Sequence, residues 1–431
     1  MSQQPRFAVE EKYLIPVCDY PANQMEIPPS RMFLIKKGLK AYLDKMGTDA
    51  KTYDASQGDG GESLDGIPAD ILMKAAEMQV KHGTGYDQPY GYDGFRNAVA
   101  NAYWKIHPAT GWGANNVVAG IGGRDILLKA YDAMIYLGTG RVGDVLLTSA
   151  VPWISYNWGP YAMGLNVLQA PGDENASWVH TEEGLEEAVR YARKSGRRIA
   201  GMLMTSPDNP TGYYYPLERQ IELAHKALDL GISFVLFDWM YHWISEEKPY
   251  NINQVLESFS PEERSRLMFL DGLSKSMGGS NVRSAHLVAS PDVCKFIVSR
   301  ASHGVFPNFY SQAVAVVAYE MGFEKAAAST IEPTNASRKI LRQKLQETGY
   351  RHIMGQGYYA FIDLRDWCDE NTSSIELGEI LARDYGIAVV PGAFFSEAGR
   401  NWVRFSYALP PERTQAAFDR FHESLTSLAK R

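Results

Sequence analysis

The stretch IAGMLMTSPDNPTGYYYPLERQIELAHKALDLGISFVLFD, residues 199–238, decides the fold. Its first seven residues are a short apolar run, and two prolines stiffen the SPDNPTG turn that follows, as expected of a buried strand entering a loop. LERQIELAHKALDLG (217–231) has helical spacing and ends at a glycine, a common helix stop. ISFVLFD (232–238) is a second apolar run, closed by Asp238. The pattern recurs along the chain. VVAG (117–120), DVLLT (144–148), LMFLD (267–271) and AHLVA (285–289) read as further buried strands, and EEGLEEAVRYARKSG (182–196) as another helix between them. Strand and helix in alternation imply an α/β fold with a mostly parallel sheet covered on both faces.

Outward from this core the pattern changes. Residues 1–30 carry several prolines and read as an extended arm; SRMFLIKKGLKAYLDKM (30–46) has helical spacing with Ser30 at its N-cap. DASQGDGGESLDG (54–66) is a polar, glycine-rich loop. PADILMKAAEMQVKHG (68–83) and DGFRNAVANAYWKIH (93–107) read as helices, the first stopped by Gly83. A helical stretch over roughly 309–347 leads to YYAFIDL, IAVVPG, WVRFSYA and a final helix, too little chain for a second wound sheet. The expected organisation is an arm and helix over 1–50, a large domain over 51–315 and a small α+β domain over 316–431.

The 431 residues are 45% apolar, with a formal net charge of −7 and both signs interspersed. No basic run supports nucleic-acid binding. No window approaches the ~18 apolar residues of a membrane span, and the N-terminus lacks the apolar core of a secretory signal. Cys18, Cys294 and Cys368 are too few and too scattered for a disulfide framework, and no metal-ligand spacing occurs. A cytoplasmic protein without a resident metal is expected.

Ligands of open α/β sheets bind beyond the carboxyl ends of the strands, and the chemistry-bearing residues fall there. GLSKSMGGSNVR (272–283) sets Lys275 among serines and glycines, with Arg283 eight residues on. Asp238 ends a buried strand, where a carboxylate is costly unless paired. It fits either a cap on the next turn or a counter-charge for a bound cation. Asn209 sits in the SPDNPTG turn. In AGIGGRDILLKAYDAM (119–134) Gly123 and Arg124 open a helix whose free amides suit a phosphate. Arg404 lies inside an apolar strand and needs an anion, either from the protein or from a ligand. A lysine nucleophile, a buried carboxylate, ring-oxygen donors, a phosphate cup and a carboxylate clamp are what an enzyme using pyridoxal phosphate on an amino acid requires.

From about residue 54 to 410 the chain resembles the fold-type I, class I/II aminotransferases. The resemblance rests on YDQPYGYDGFR (86–96), SPDNPTG (206–212), FDWMY (237–241), SKSMGGSNVR (274–283) and VRFSYA (403–408), in the family's order and spacing. It implies a large domain with a mostly parallel seven-stranded sheet, pyridoxal 5'-phosphate as cofactor, and an amino acid and a 2-oxo acid as substrates. By the same resemblance Lys275 forms the internal aldimine and carries the proton. Asp238 keeps the ring nitrogen protonated, and Asn209 and Tyr241 bond the ring oxygen. Gly123, Arg124 and Arg283 hold the phosphate, Trp153 of VPWISY stacks on the ring, and Arg404, beside Asn209, binds the substrate carboxylate. Tyr86 reaches the phosphate of the neighbouring subunit, which implies a homodimer.

Three positions depart from the family pattern. Gly272 replaces a hydroxyl residue, leaving Ser274 to supply that phosphate contact. Pro152 directly precedes Trp153, and Arg124 stands where a small residue is usual. ASHGVFPNFY (301–310), where aspartate-specific relatives carry a second arginine, has none. An uncharged donor, aromatic or otherwise bulky, is therefore expected, with Phe306, Phe309 and Tyr359 as candidate walls. Transamination is the leading expectation; a β-lyase, cyclase or amino-acid oxidase built on the same cofactor residues is the alternative, and a non-catalytic regulatory module a remote one.

Overall fold

The computed structural model describes residues 3–17, 27 and 31–429. Ser30, expected as a helix cap, Cys18, and much of the proline-bearing arm lie outside the described residues.

Among the described residues the main sheet has eight strands, in the order Arg6–Phe7, Asn166–Gln169, Val145–Thr148, Ile199–Thr205, Val235–Asp238, Leu267–Gly272, Ser284–Ala289 and Val117–Ile121. From Asn166–Gln169 to Leu267–Gly272 each neighbouring pair is parallel. Ser284–Ala289 runs against both of its neighbours. Seven of these strands form the expected wound sheet. The eighth, Arg6–Phe7, comes from the N-terminal arm and pairs antiparallel with the Asn166–Gln169 edge.

Side chains alternate across this sheet. Val235, Phe237, Leu267 and Phe269 enter one apolar cluster, while Leu236, Met268 and Leu270 enter another on the opposite face. Asp238 therefore shares a face with Leu270, which lines the cavity described below, and Asp271 points the other way. Register sets Asp238 opposite Leu270 on the adjacent strand.

The C-terminal region forms a four-stranded antiparallel sheet ordered His352–Met354, Tyr359–Asp363, Trp402–Ser406, Val390–Pro391. Helices Ala328–Thr348, Ser374–Tyr385 and Pro411–Ala429 contribute to the apolar cluster behind it. Helix Met32–Met46 lies on Ser374–Tyr385 so closely that a Cβ on Gly38 would meet Ala382 at 2.7 Å. A short parallel pairing of Tyr53–Asp54 with Ile387–Ala388 delivers the glycine-rich loop to the strand bearing Arg404, where Ser406 donates its N–H to Ala55. The helical stretch after residue 309 is not continuous. It breaks into Phe309–Met321, Phe323–Ala326 and Ala328–Thr348; at the first break Gly322 adopts a φ of 95°, outside the helical range, and at the second Ala327 has φ −98° and ψ 0°.

Candidate active site

A cavity of about 380 Å³ lies at the carboxyl ends of the parallel strands. Segments distant in sequence supply its lining. Helix Gly123–Ala133 gives Gly123, Arg124 and Leu127; the helix after Val145–Thr148 gives Ile154 and Tyr156, preceded by Trp153. The turns after the next three strands give Asn209, then Tyr241, then Ser274, Lys275, Ser280 and Arg283, with Asp238 at its own strand's end. The small sheet adds Tyr359 and Arg404. Of the residues expected to hold the cofactor or the substrate carboxylate, Tyr86 alone is not in this lining: it stands 96% exposed and packs on Phe306 at 5.7 Å between ring centroids.

Lys275 sits in a one-turn helix, Leu273–Ser276, entered directly from the Leu267–Gly272 strand. Its Nζ donates to the Gly58 carbonyl. Burial pulls this amine down to about 8; Asp59 opposes the shift, and Arg404, Arg124 and Arg283 reinforce it. Gly272 is a steric necessity: a Cβ there would lie 2.5 Å from the Ser284 carbonyl and 2.7 Å from the Ala285 Cα. No hydroxyl side chain fits at that position, and Ser274 and Ser280 supply the hydroxyls of the loop.

Asp238 is 5% exposed. No helix starts at it; its Oδ1 accepts the Met240 N–H at 3.1 Å. Its Oδ2 accepts from the Tyr156 hydroxyl at 2.6 Å, and that hydroxyl accepts in turn from Thr205 Oγ1 at 3.0 Å. Burial raises Asp238 to about 6, since the two hydrogen bonds and Lys275 only partly offset desolvation and the charge of Asp271. A carboxylate so held gains from any cation placed beside it.

Asn209 donates through Nδ2 to the Tyr241 hydroxyl at 3.3 Å, and the Tyr241 and Tyr359 hydroxyls are 3.0 Å apart. Arg404, 3% exposed, donates to Asn209 Oδ1 at 2.8 Å and to the Ser56 carbonyl at 2.7 Å. Its guanidinium lies 4.2 Å from the centre of the Tyr359 ring. No carboxylate pairs with it among the described residues, and its buried Nε has no acceptor there. A buried arginine with an orphaned Nε suits an anionic ligand.

Arg283, with φ at 61°, donates to the Ser280 and Ile121 carbonyls and packs where a Cβ on Gly122 would stand, 2.4 Å from its guanidinium. It thus faces the first amides of helix Gly123–Ala133, which have no acceptor within that helix. Arg124 is exposed, with its guanidinium 5.3 Å from the Trp153 ring centre. Partial desolvation and the neighbouring Arg283 lower its proton affinity. Arg124, Lys275, Arg283 and Arg404 face only Asp59 and Asp238 in the cavity, so it favours an anionic ligand.

The lining also holds residues that no expectation named: Tyr156 at the end of the VPWISY stretch, Gly58 and Asp59 of the glycine-rich loop, Ser280 inside SKSMGGSNVR, and Phe395. Phe306 and Phe309, expected as walls, are not in the lining. Phe309 stacks on His82 at 3.8 Å between ring centres, outside the cavity. Tyr359 does line it, joined by Leu127, Trp153, Ile154 and Phe395.

A mostly parallel α/β sheet carrying a depressed lysine amine, a buried carboxylate and a cationic cup at its strand ends defines a fold-type I pyridoxal-phosphate enzyme. The model of the family "Aminotransferase class I and II" matches residues 59–421, and the chain belongs to that family: it is a pyridoxal 5'-phosphate-dependent aminotransferase. It is 25% identical over 414 residues to an aspartate aminotransferase of Thermotoga maritima, covering 93% of this chain and 98% of that one. It is 23% identical over 387 residues to aromatic-amino-acid aminotransferase 2 of Thermococcus litoralis, covering 87% and 94%. Among solved structures the Thermotoga maritima aspartate aminotransferase superposes with a TM-score of 0.77 at 21% identity, covering 93% of this chain and 98% of that one. An aromatic aminotransferase of Pyrococcus horikoshii does so with a TM-score of 0.74 at 22% identity, covering 89% and 98%.

The residues present fit the cofactor. Amides at a helix start, a guanidinium and two serine hydroxyls suit a phosphate; the lysine amine suits an aldehyde; the elevated carboxylate suits a protonated ring nitrogen. Among the described residues no helix is long and apolar enough to cross a membrane.

Proposed function

We propose that Lys275 is the amine that attaches the cofactor and that this cavity transfers an amino group from a bulky, uncharged amino acid to a 2-oxo acid. The observation that carries this is the convergence of Lys275, Asp238, Asn209, Tyr241, Arg283 and Arg404 on one cavity. When bound, the cofactor supplies an electron sink for the substrate α-carbon. Lys275, with its depressed proton affinity, holds the cofactor and then accepts and returns the α-proton. Asp238 keeps a proton on the ring nitrogen, with Tyr156 fixing the carboxylate's orientation. Asn209 and Tyr241 donate to the ring oxygen. Gly123, Arg124, Ser274, Ser280 and Arg283 hold the phosphate, Trp153 covers the ring, and Arg404 takes the substrate carboxylate with the fork geometry that guanidinium provides.

Leu127, Trp153, Ile154 and Phe395 give the cavity an apolar wall, and the 301–310 segment has no arginine. An aromatic side chain gains by burial there. One observation favours an acidic donor instead: the exposed Arg124 guanidinium, which has no ion pair among the described residues. Comparing kcat/KM for phenylalanine, tryptophan and methionine with that for aspartate and glutamate, in the wild type and in Arg124→Leu, decides between them. An advantage for aspartate that Arg124→Leu abolishes would overturn the aromatic assignment. Release of free ammonia, pyruvate and the departed side-chain group, in place of the donor's own 2-oxo acid with its amino group passed to an acceptor, would indicate β-elimination.

The enzyme acts as a cytoplasmic homodimer with the chain divided near residues 51 and 316, and Tyr86 serves the neighbouring subunit's site. Met73, Val80, Tyr86 and Val305, all largely exposed in the single chain, suit a face covered by a second copy. Mixing Tyr86→Ala with Lys275→Ala subunits tests the sharing: heterodimers should recover one intact site, and mixtures no more active than the unmixed pools would refute it.

A further inference from the structure

Behind the cavity, on the opposite face of the sheet, lies a second carboxylate. Asp271 is fully buried, one residue beyond Leu270, which pairs with Asp238. Its Oδ1 accepts its neighbour's Gly272 N–H at 2.6 Å. Its Oδ2 accepts from the Tyr103 hydroxyl and lies 2.8 Å from His242 Nε2. That last contact would be an ion pair only if His242 were doubly protonated. The Tyr250 N–H points at His242 Nδ1 at 3.2 Å, so Nδ1 must offer a lone pair and the ring's one proton sits on Nε2, facing Asp271.

The other groups around Asp271 bring no positive charge. His286 lies opposite it across the antiparallel pair; its Nε2 accepts the Trp104 indole N–H at 2.8 Å, and burial drives it down to about 4. The Tyr319 hydroxyl lies 3.4 Å from His286 Nδ1. Three donors converge on Asp271 and no cation pairs with it among the described residues, which leaves a hydrogen-bonded anion in the core. Such an anion is expensive to bury, and packing alone does not require one.

We propose that Asp271 is a positioning residue for the reaction, a hidden carboxylate whose charge, secured by Tyr103 and neutral His242, acts through Asp238 to hold the proton on the cofactor's ring nitrogen. Its hydrogen bonds also tie the two active turns together, since His242 follows Tyr241 and Gly272 opens the turn of Lys275. The part played toward the ring rests on the assignment of Asp238 as its partner; the electrostatic coupling of the two carboxylates does not. Asp271 is among the causes that raise Asp238, whose surroundings also include Tyr156, Tyr131 and Lys275.

The test uses the cofactor-free full chain first. The stability difference between wild type and Asp238→Asn, followed against pH, gives the midpoint at which Asp238 ionises. The same difference taken in an Asp271→Asn background should show that midpoint lowered, because a like charge has been removed, and an unmoved midpoint would overturn the proposal. Should Asp271→Asn not fold, the wild type still decides: with 15N-labelled histidine, and His242→Gln to assign the signal, His242 should be protonated on Nε2 alone at pH 7. A doubly protonated or Nδ1-protonated ring would overturn the proposal, because the pair would then be neutral or differently bonded. With cofactor added, the absorbance of the bound ring should titrate differently in Asp271→Asn and wild type. If Asp271→Asn lowers the midpoint while Asp238→Asn turns over normally, the coupling stands and the ring-nitrogen assignment fails.

Discussion

Replacing Asp238 by asparagine should stabilise the cofactor-free protein while nearly abolishing turnover. The ordinary aspartate value, 3.8, is raised to about 6 at this site. Below 3.8 both folded and unfolded chains hold the proton and the group contributes nothing. Between 3.8 and 6 the folded chain binds more protons than the unfolded one, so stability falls as pH rises. Above 6 the full penalty is present: about 2 pKa units, or about 3 kcal/mol. Asparagine has nothing to ionise. Its carbonyl can keep the Met240 N–H, and its amide can donate to the Tyr156 hydroxyl, which can turn to donate to Thr205. The hydrogen-bond count survives, and the gain at pH 7.5 should be about 1 to 3 kcal/mol. Urea unfolding of both proteins at pH 4 and pH 7.5 measures it. Asp208, raised to about 6, and His180, lowered to about 4, titrate in both proteins and cancel in the difference. The variant should draw level with wild type at pH 4 and exceed it at pH 7.5. A variant no more stable at pH 7.5, or one with wild-type turnover, would refute the reasoning.

Other outcomes follow from the same geometry. Uptake of pyridoxal phosphate by the cofactor-free protein should accelerate up to about pH 8, where the Lys275 amine becomes free, and then level off; a rise continuing to pH 10 would mean an ordinary lysine. Arg404→Gln should cost kcat/KM at least about 100-fold, since truncating one side of a buried charge pair removes roughly 3 kcal/mol, and Arg404→Lys should recover only part because the fork is lost. Tyr156→Phe removes a donor that favours ionised Asp238, so its ionisation midpoint should move up, opposite to the shift in Asp271→Asn; turnover should drop about tenfold, in keeping with a hydrogen bond to a charged group.

Much of this was legible in the sequence because buried parallel strands are nearly continuous apolar runs. Ile199–Thr205 and Leu267–Gly272 stand out for that reason, and each strand end marks where a site residue begins. Asn166–Gln169 does not stand out, because its end residues are polar. Burial is tolerated because each is satisfied by folding: Asn166 accepts the Ile15 N–H and donates to the Gly143 carbonyl, and Gln169 meets Arg6, Asn157 and Ser396. Those partners lie 12 or more residues away in the chain, so no local pattern announces them. The same holds in the site. Lys275, Asp238, Asn209 and Arg404 have local settings that demand explanation, whereas Tyr156 is one more tyrosine in an aromatic-rich helix until Asp238 is seen beside it. Gly58 and Asp59 arrive through the short pairing of Tyr53–Asp54 with Ile387–Ala388. Phe309 shows the converse error: an aromatic residue near the expected wall finds His82 instead.

The most direct test is to load the full-length protein with pyridoxal 5'-phosphate, reduce it with borohydride and map the labelled peptide. The geometry requires a single pyridoxyl group on Lys275, with none on Lys275→Ala treated alike. A label on any other lysine would contradict the site as built here.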